Sequence, residues 1–248
     1  MNTHHHHGIG RRLENMRVAV TGGSAGLGLA LVAELRANGA SVAFVARTRA
    51  DVERVARQHG ACGIVGDVAK KADIHPIALQ IIGALGGLDV LVNNASSLGP
   101  VPLALLGDTD CEDFAQALET NLLGPFRLTK ALLGPLSASA RSGKSATVIN
   151  VSSDAARTAY AGWGAYGASK AALDLMSRVW SEEMTQWGVR FLSLDPGDMD
   201  TRLHALAVPD ADRESLRHPD EVARDWVSRL VVAWRDPRAA REAQASSA

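Results

Sequence analysis

The stretch that decides the fold reads Val18-Ala-Val-Thr-Gly-Gly-Ser-Ala-Gly-Leu-Gly28. An apolar run leads into a glycine-rich turn, and apolar residues at helical spacing then continue to Asn38. This order predicts a strand, a turn and a helix, with Gly39 closing the helix. Glycines at 22, 26 and 28 would let backbone amides approach a pyrophosphate, whose charge then meets the positive end of the helix. The alternative is a glycine-rich turn that holds no ligand.

The second predicted strand, Ser41 to Ala46, bears on which dinucleotide such a turn would hold. An acid about 20 residues past the glycines would bind a ribose 2′-hydroxyl, and no acid stands there. Arg47, Thr48 and Arg49 take its place, and arginine is suited to pairing with a 2′-phosphate. NADP(H) is therefore favoured, and NAD(H) is the alternative. Without a ligand, the two arginines would form a solvated basic turn.

Further short apolar runs alternate with helical patterns along the chain. They predict strands at 63–65, 88–92, 146–151 and 190–194. This alternation is typical of α/β proteins with a parallel sheet. We expect a single-domain, Rossmann-like, doubly wound parallel sheet with helices on both faces. It would have six strands, or seven if the C-terminal part supplies another.

Composition limits the classes of protein and partner. The chain has 248 residues, is 46% hydrophobic and carries a formal net charge of −1, which fits one sizeable domain. So small a charge provides no field for nucleic acid or an anionic membrane. No apolar run approaches the 18 or so residues of a membrane span, and the N-terminus lacks a signal-peptide core. We therefore expect a cytoplasmic protein without nucleic-acid or membrane partners.

The domain boundaries follow from the same patterns. We expect residues 1–15, with the run His4 to His7, to be a disordered leader or tag remnant. Residues 16–235 would form the domain, and residues 236–248 a flexible tail. Cys62 and Cys111 form no Cys-x-x-Cys motif, so we expect buried free thiols and no metal site.

A second informative stretch covers residues 152–170. Tyr166 and Lys170 are four residues apart and share one face of a predicted helix over 163–187. Ser153 follows a buried strand, so its hydroxyl would emerge at the carboxyl edge of the sheet, where open parallel sheets hold their active sites. By itself, Tyr-x-x-x-Lys would be a solvated helix face and Ser153 a helix cap.

These three residues suit proton exchange with a carbonyl or alcohol. A phenol near its reference pKa of about 10 is a poor acid or base at neutral pH. A positive charge about 4 Å away contributes roughly 4 kcal/mol, which is on the order of three pKa units. We therefore expect Lys170 to bring the pKa of Tyr166 to about 7.

Shorter features complete the pattern. Asp67 follows the third strand and could accept an adenine amino group, while the fourth strand ends in Asn-Asn-Ala at 93–95. Asn121 lies inside a predicted helix over 111–133, where asparagine has little reason to be unless its amide or backbone is used. The sixth strand leads into residues 195–201.

In this order the motifs resemble those of the short-chain dehydrogenase/reductase family, in its short single-domain branch. The resemblance runs from about Val18 to Thr201. It covers Thr-Gly-x-x-x-Gly-x-Gly at 21–28, Asn-Asn-Ala at 93–95, Asn121, Ser153, Tyr-x-x-x-Lys at 166–170 and Pro-Gly-x-x-x-Thr at 196–201.

The resemblance implies a catalytic tetrad of Asn121, Ser153, Tyr166 and Lys170, in which Asn121 holds a water that relays protons to Lys170. It implies hydride transfer between a small-molecule carbonyl and a secondary alcohol, with segment 198–218 covering the substrate. The implied cofactor contacts are Gly22, Ser24, Ala25, Gly26, Leu27, Gly28, Arg47, Thr48, Asp67, Val68, Asn94, Ala95, Tyr166, Lys170, Pro196, Gly197, Met199 and Thr201. The alternatives are a non-catalytic NADP(H)-binding sensor or scaffold, and a redox-neutral epimerase or dehydratase.

Two departures from the family pattern bear on assembly and cofactor. Nothing after Arg217 reads as the last strand that many family members have. Because that strand usually helps to build one interface of family tetramers, we expect a homodimer through the helices at 111–133 and 163–187. The glycine turn carries Ser24 and Ala25 where many NADP enzymes have a basic residue, which leaves the choice of cofactor to Arg47.

Overall fold

Six parallel strands form the sheet in the computed structural model, which describes residues 12–236. The strands are β1 (Arg17–Thr21), β2 (Ser41–Ala46), β3 (Cys62–Val65), β4 (Val90–Asn93), β5 (Ala146–Val151) and β6 (Val189–Leu194). Their order across the sheet is β3-β2-β1-β4-β5-β6. The strand order reverses between β1 and β4, and open sheets of this kind bind ligands at such a switch point. The predicted doubly wound sheet of six strands is confirmed, and residues 12–236 contain no seventh strand.

Eight α-helices surround the sheet within residues 12–236. They are α1 (Gly26–Ala37), α2 (Arg49–His59), α3 (Lys71–Leu85), α4 (Cys111–Leu118), α5 (Gly124–Arg141), α6 (Gly164–Met184), α7 (Arg202–Ala207) and α8 (Pro219–Arg235). A π-helical turn, Glu119–Leu123, joins α4 to α5. The segment predicted as one helix over 111–133 therefore contains a widened turn and continues to Arg141.

The core lies in two layers, one on each face of the sheet. Phe44 points into the layer under α1 and α8, and its neighbour Val45 points into the layer under α3 and α5. Successive strand residues face opposite sides, so a strand covered on both faces must be apolar throughout. This requirement explains the continuous apolar runs in the sequence.

The ends of the predicted domain differ from the described structure in detail. Residues 1–11, with His4 to His7, and residues 237–248 lie outside the described residues. Within the predicted leader, Leu13 is fully buried in the layer under α1, and its amide donates to the Asn38 carbonyl at 2.9 Å. Packing against the core thus begins before β1.

Both cysteines are exposed free thiols, so the expectation that they are buried was wrong. Cys62 opens β3, which is an edge strand of four residues, and Cys111 is the first residue of α4. The apolar character of a thiol predicts burial, but these positions lie at the rim of the fold.

The glycine turn after β1 leaves no room for a side chain at position 28. A Cβ there would lie 2.2 Å from the Gly22 carbonyl oxygen and 2.5 Å from Asn94 Nδ2. Gly22 itself has a φ of +66°, which L side chains rarely adopt. The glycine spacing therefore follows from how closely α1 approaches the turn.

We predict that Gly28→Ala lowers the free energy of unfolding by about 2 kcal/mol or more, because the new methyl group overlaps backbone atoms. The matched control is Gly83→Ala in α3, where a Cβ meets nothing within 4 Å and the site is exposed. That change should raise the free energy of unfolding by about 0.5–1 kcal/mol, since alanine favours the helix. Urea denaturation of both variants measures the two effects, and equal effects would contradict the steric argument.

Candidate active site

The carboxyl ends of β1, β4 and β5 bring most of the predicted site residues together. Thr21 leads into the glycine turn, Asn94 follows β4, and Ser153 follows β5. These three strands are adjacent in the sheet, so the residues beyond them line one edge.

The start of α1 is built to receive an anion. Ala25 occupies the N-cap position, no side chain caps the helix, and no acid lies in its first turn. The first amides of a helix lack intrahelical partners and lie at the positive end of the helix dipole. Leu27 is buried in the core, so only its backbone can face a ligand. The arrangement fits the pyrophosphate of a dinucleotide.

Thr21 and Asn94 fasten the glycine turn to the end of β4. Thr21 Oγ1 accepts from the amides of Asn94 and Ala95, both at 3.0 Å. Asn94 Nδ2 donates to the carbonyls of Thr21 at 2.9 Å and Gly22 at 3.3 Å. Asn94 and Ala95 therefore hold the shape of the turn in addition to lying beside it.

The ends of β2 and β3 place Arg47 and Asp67 on neighbouring strands. Ala46 pairs with Val65, so the residues just beyond them lie close together. Arg47 and Thr48 are exposed, and Arg47 has no hydrogen bond or ion pair within residues 12–236. Asp67 Oδ1 accepts from the Ala69 amide at 3.0 Å and closes the turn. Val68 is buried beneath it.

Asn121 lies in the π-helical turn and is fully buried. Its Nδ2 donates to the Ser97 carbonyl at 2.7 Å and to Ser169 Oγ at 2.8 Å. Its Oδ1 accepts from the Ser97 amide at 2.8 Å and from Ser96 Oγ at 3.2 Å. The side chain therefore uses its full hydrogen-bonding capacity to join the loop after β4 to α6.

Ser153, Tyr166 and Lys170 converge at the end of β5. The side chain of Tyr166 is almost completely buried, and the hydroxyls of Ser153 and Ser96 lie near enough to its phenol to lower its pKa. Lys170 is also buried, and its Nζ donates to the Val151 carbonyl at 2.6 Å. The ammonium lies 5.5 Å from the centre of the Tyr166 ring. The Ser153 hydroxyl accepts from the Ala155 amide at 3.2 Å.

The segment after β6 covers this edge of the sheet. Gly197 has a φ of +71° and donates its amide to Asp195 Oδ1 at 2.9 Å. Pro196 accepts at its carbonyl from Arg217 at 3.5 Å, and Met199 pairs with Arg217 in an isolated parallel bridge. Thr201 caps α7, and its methyl group would lie 3.4 Å from a Cβ on Gly26. Of the predicted contacts from 196 to 201, Thr201 thus reaches the glycine turn.

An open hollow of about 290 Å³ lies beside the Ser153 turn. Ala155, Ala156, Tyr160 and Trp163 contribute to its largely apolar lining. The Trp163 ring meets the Tyr166 ring edge to face, with centroids 5.7 Å apart. The hollow is therefore next to the buried phenol.

Within residues 12–236 no three His, Cys, Asp or Glu side chains are grouped so that they could hold a metal ion. None of the helices there combines the length and the apolar character that crossing a membrane requires.

Comparison with known proteins decides the family. A family model described as short chain dehydrogenase matches residues 16–212. The chain belongs to the short-chain dehydrogenase/reductase family. It is 36% identical over 217 residues to an uncharacterized oxidoreductase of Mycobacterium tuberculosis (strain CDC 1551 / Oshkosh), covering 86% of this chain and 79% of the relative. It is 33% identical over 187 residues to the L-fucose dehydrogenase of Rattus norvegicus, covering 75% and 67%.

Solved structures of this family superpose closely. A 3-ketoacyl-(acyl-carrier-protein) reductase from Brucella melitensis, complexed with NADH, has a TM-score of 0.79 at 25% identity, covering 87% of this chain and 90% of that one. A short chain dehydrogenase described as putative, from Escherichia coli CFT073 and complexed with NADPH, has a TM-score of 0.78 at 26% identity, covering 87% and 91%. This short-chain dehydrogenase/reductase is therefore an oxidoreductase with a nicotinamide cofactor.

In this dehydrogenase/reductase the pKa of Tyr166 differs from the value expected from the sequence. Burial raises the pKa of Tyr166 to about 12, although hydrogen bonds with Ser153 and Ser96 act the other way. Burial also lowers the pKa of Lys170 to about 8. The expectation that Lys170 brings the Tyr166 pKa to about 7 was wrong, because removal of the phenol from water disfavours the charged phenolate, and this effect outweighs the hydroxyls of Ser153 and Ser96. At neutral pH the phenol is protonated.

Four residues of the site were missed by sequence reasoning. Ser96 and Ser169 share hydrogen bonds with Asn121, while Asp154 and Tyr160 contact each other beside Ser153. The one local signal was the position of Asp154, directly after Ser153. The other three depend on contacts between separate segments.

We predict that the stability difference between the natural protein and Lys170→Met depends on pH. Between about pH 8 and 10.5 the unfolded chain binds more protons at Lys170 than the folded chain does. The natural protein should therefore gain about 1–2 kcal/mol of stability relative to Lys170→Met as the pH rises from about 7.5 to about 9.5. Urea denaturation of both proteins at the two pH values measures this gain.

The matched control is Lys130→Met, which removes an exposed lysine from α5. Its stability difference from the natural protein should stay constant over the same pH range. A constant difference for Lys170→Met as well would contradict a buried, destabilised ammonium.

Proposed function

We propose that the protein is an NADP(H)-dependent oxidoreductase that interconverts a carbonyl and a secondary alcohol by hydride transfer. The observation that carries the proposal is the convergence of Ser153, Tyr166 and Lys170 at the end of β5, beside the glycine turn. A hydroxyl, a phenol and an ammonium at that edge provide the groups needed to hold an oxygen and to move a proton to or from it.

In carbonyl reduction, Tyr166 donates its proton to the substrate oxygen while Ser153 holds that oxygen by a hydrogen bond. When bound, the nicotinamide cofactor would supply the hydride. A phenol with a pKa of about 12 is protonated at neutral pH, so it is ready to donate. In alcohol oxidation, Tyr166 acts as the base, which requires the phenolate and therefore favours alkaline pH.

Lys170 and Asn121 complete the proposed tetrad. The Val151 carbonyl orients the Lys170 ammonium by a hydrogen bond. In the proposed mechanism this ammonium would bind the nicotinamide ribose and interact with the phenol of Tyr166. The side-chain amide of Asn121 makes all of its hydrogen bonds with Ser96, Ser97 and Ser169. A proton-relaying water would therefore have to bind the backbone of Asn121. The Asn121 side chain supports the site by holding the loop after β4.

NADP(H) is the proposed cofactor because the end of β2 offers an unpaired arginine and no acid. Arg47 is exposed there, at the position where an acid would bind a ribose 2′-hydroxyl. The similar solved structures hold NADH in one case and NADPH in another. NAD(H) is therefore the alternative cofactor, and the Arg47→Ala variant described below distinguishes it from NADP(H).

The proposed partners are a small-molecule substrate and a second copy of the chain. The rat relative is an L-fucose dehydrogenase, so a substrate panel should include that sugar beside simple ketones and alcohols. We also propose a homodimer through the helices around 111–133 and 163–187. Leu175 and Val179 of α6 support it, because their apolar side chains are 56% and 46% exposed.

We predict that Tyr166→Phe lowers kcat by about 100-fold or more, because it removes the group that exchanges the proton. Binding of NADPH, measured by the cofactor's fluorescence, should change by less than about threefold. Steady-state rates of NADPH oxidation with the carbonyl panel measure the loss, and circular dichroism checks the fold. A kcat within a few fold of the natural protein would contradict the role of Tyr166. No net redox turnover by the natural protein would favour a sensor or an epimerase.

We predict that Arg47→Ala raises the KM for NADPH by about 10- to 100-fold, the effect of losing one charge-assisted pair. The KM for NADH should stay within about twofold. The matched control is Arg54→Ala, an exposed arginine of α2 that pairs with Asp51 and should leave both KM values unchanged. An unchanged ratio of the two KM values in Arg47→Ala would count against NADP(H) selection by this residue.

A further inference from the structure

Apolar side chains from four separate segments pack around Tyr166. They come from the loop after β4, the turn after β5, the start of α6 and the helix α7. Besides Tyr166 itself, they are Leu98, Leu103, Ala155, Trp163, Leu203 and Ala207. We call this set the phenol cluster. Its two members from α7 are four residues apart, so they lie on the same face of that helix.

The phenol cluster offers a substrate few hydrogen-bonding groups. Its polar side-chain atoms are the Tyr166 hydroxyl and the Trp163 indole nitrogen. The hydroxyls of Ser153 and Ser96 lie near the phenol. Together these groups can serve one carbonyl oxygen. Further hydroxyls on a substrate would lose their hydrogen bonds with water against apolar side chains, which is unfavourable.

The apolar surface continues from the phenol cluster into the hollow beside the turn after β5. Ala155 and Trp163 belong to both. Leu106 and Tyr160 extend the apolar lining, and the Tyr160 hydroxyl is engaged because it donates to Asp154 Oδ2 at 2.7 Å. The hollow measures about 290 Å³. Since an apolar cavity of about 150 Å³ in another protein binds benzene, the hollow is large enough for a ring-sized group.

We propose that the substrate is a neutral ketone, or the corresponding secondary alcohol, that carries an aryl or similarly bulky apolar group. Its oxygen meets the Tyr166 hydroxyl, and its apolar group packs against Trp163 and extends into the hollow. Leu103, Trp163 and Leu203 select for that group. The inference rests on the proposed function and deepens it by naming the substrate class.

The burial of Tyr166 explains why an apolar substrate is favoured. Tyr166 is 7% exposed, so a substrate has to replace contacts that the phenol cluster now makes. The six-residue helix α7 contains no buried residue, so Leu203 and Ala207 can separate from the phenol with the least loss of packing. An apolar group of the substrate then covers the surface that they leave, and this keeps water away from it.

The charged groups near the hollow fit a neutral substrate. Arg157 is a cation of the lining, but its guanidinium lies 3.7 Å from the Asp195 carboxylate and its charge also acts on Asp154. A carboxylate on the substrate would have to compete with these two acids. On α7, His204 lines a separate small cavity with Arg213. The side chains of the phenol cluster itself carry no charge at neutral pH.

The first test compares kcat/KM for propiophenone, an aryl ketone, with kcat/KM for 1,3-dihydroxyacetone, a hydroxyl-rich ketone. The natural protein with NADPH should prefer propiophenone by about 10- to 100-fold. Leu103→Asn, which puts an amide into the phenol cluster, should reduce this preference by about 5- to 20-fold. The matched control is Leu105→Asn in the same loop. Leu105 is 58% exposed and outside the cluster, so its variant should keep the preference of the natural protein.

The second test measures binding and does not depend on turnover. Titration calorimetry of Tyr166→Phe, with and without NADPH, should give propiophenone a Kd at least about tenfold lower than that of dihydroxyacetone. The heat-capacity change of binding should be negative, which is the mark of buried apolar surface. Adding Trp163→Ala should weaken propiophenone binding by about 5- to 20-fold, because the ring that the substrate packs against is lost. Circular dichroism checks the fold of each variant.

The two tests separate failure of this inference from failure of the proposed function. A preference for dihydroxyacetone, or for phenylglyoxylate as an anionic aryl ketone, would overturn the substrate class. Equal effects of Leu103→Asn and Leu105→Asn would overturn selection by the phenol cluster. If the natural protein reduced none of these ketones and oxidised none of the corresponding alcohols, the proposed function would fail. Calorimetry would still decide the inference, since propiophenone binding that Trp163→Ala weakens supports it and an absence of binding overturns it.

Discussion

One hydrogen bond, from the Lys170 ammonium to the Val151 carbonyl, fixes the geometry on which the site depends. It ties α6 to the last residue of β5 at the carboxyl edge of the sheet. Tyr166 lies one helical turn before Lys170, and Ser153 lies two residues beyond Val151, so this contact sets the distances among all three. Burying an ammonium opposes folding, and the pKa of Lys170, lowered to about 8, reflects that opposition. The fold thus tolerates a destabilised charge at the position where the proposed chemistry needs it.

The side-chain amides of two asparagines hold the loops around that contact in a similar way. The Asn94 side chain holds the glycine turn, and the Asn121 side chain holds the loop after β4 against α6. Each amide nitrogen donates to backbone carbonyls or hydroxyls of segments distant in sequence. Such cross-links orient the groups of a site before any ligand binds, which lowers the cost of ordering them later.

Much of the fold could be predicted because its signals are local. The apolar runs of the strands, the glycine spacing and the Tyr166 to Lys170 interval can each be read within a few residues. The pKa of Tyr166 could not be predicted from the sequence, because the apolar residues that cover the phenol come from separate segments, namely Leu98, Ala155 and α7. The hydrogen bond from Tyr160 to Asp154 could not be predicted either, because it depends on a turn that brings Tyr160 back to Asp154. The exposure of Cys62 depends on which strand forms the sheet edge.

The packing of α8 against α1 has a consequence for how the protein is made. Val222, Val227 and Leu230 of α8 belong to the same buried layer as Leu31 and Leu35 of α1, the helix that begins at the glycine turn. A nascent chain exposes that face of α1 until residues 219–235 have left the ribosome. The glycine turn is therefore translated about two hundred codons before the helix that supplies part of its apolar support.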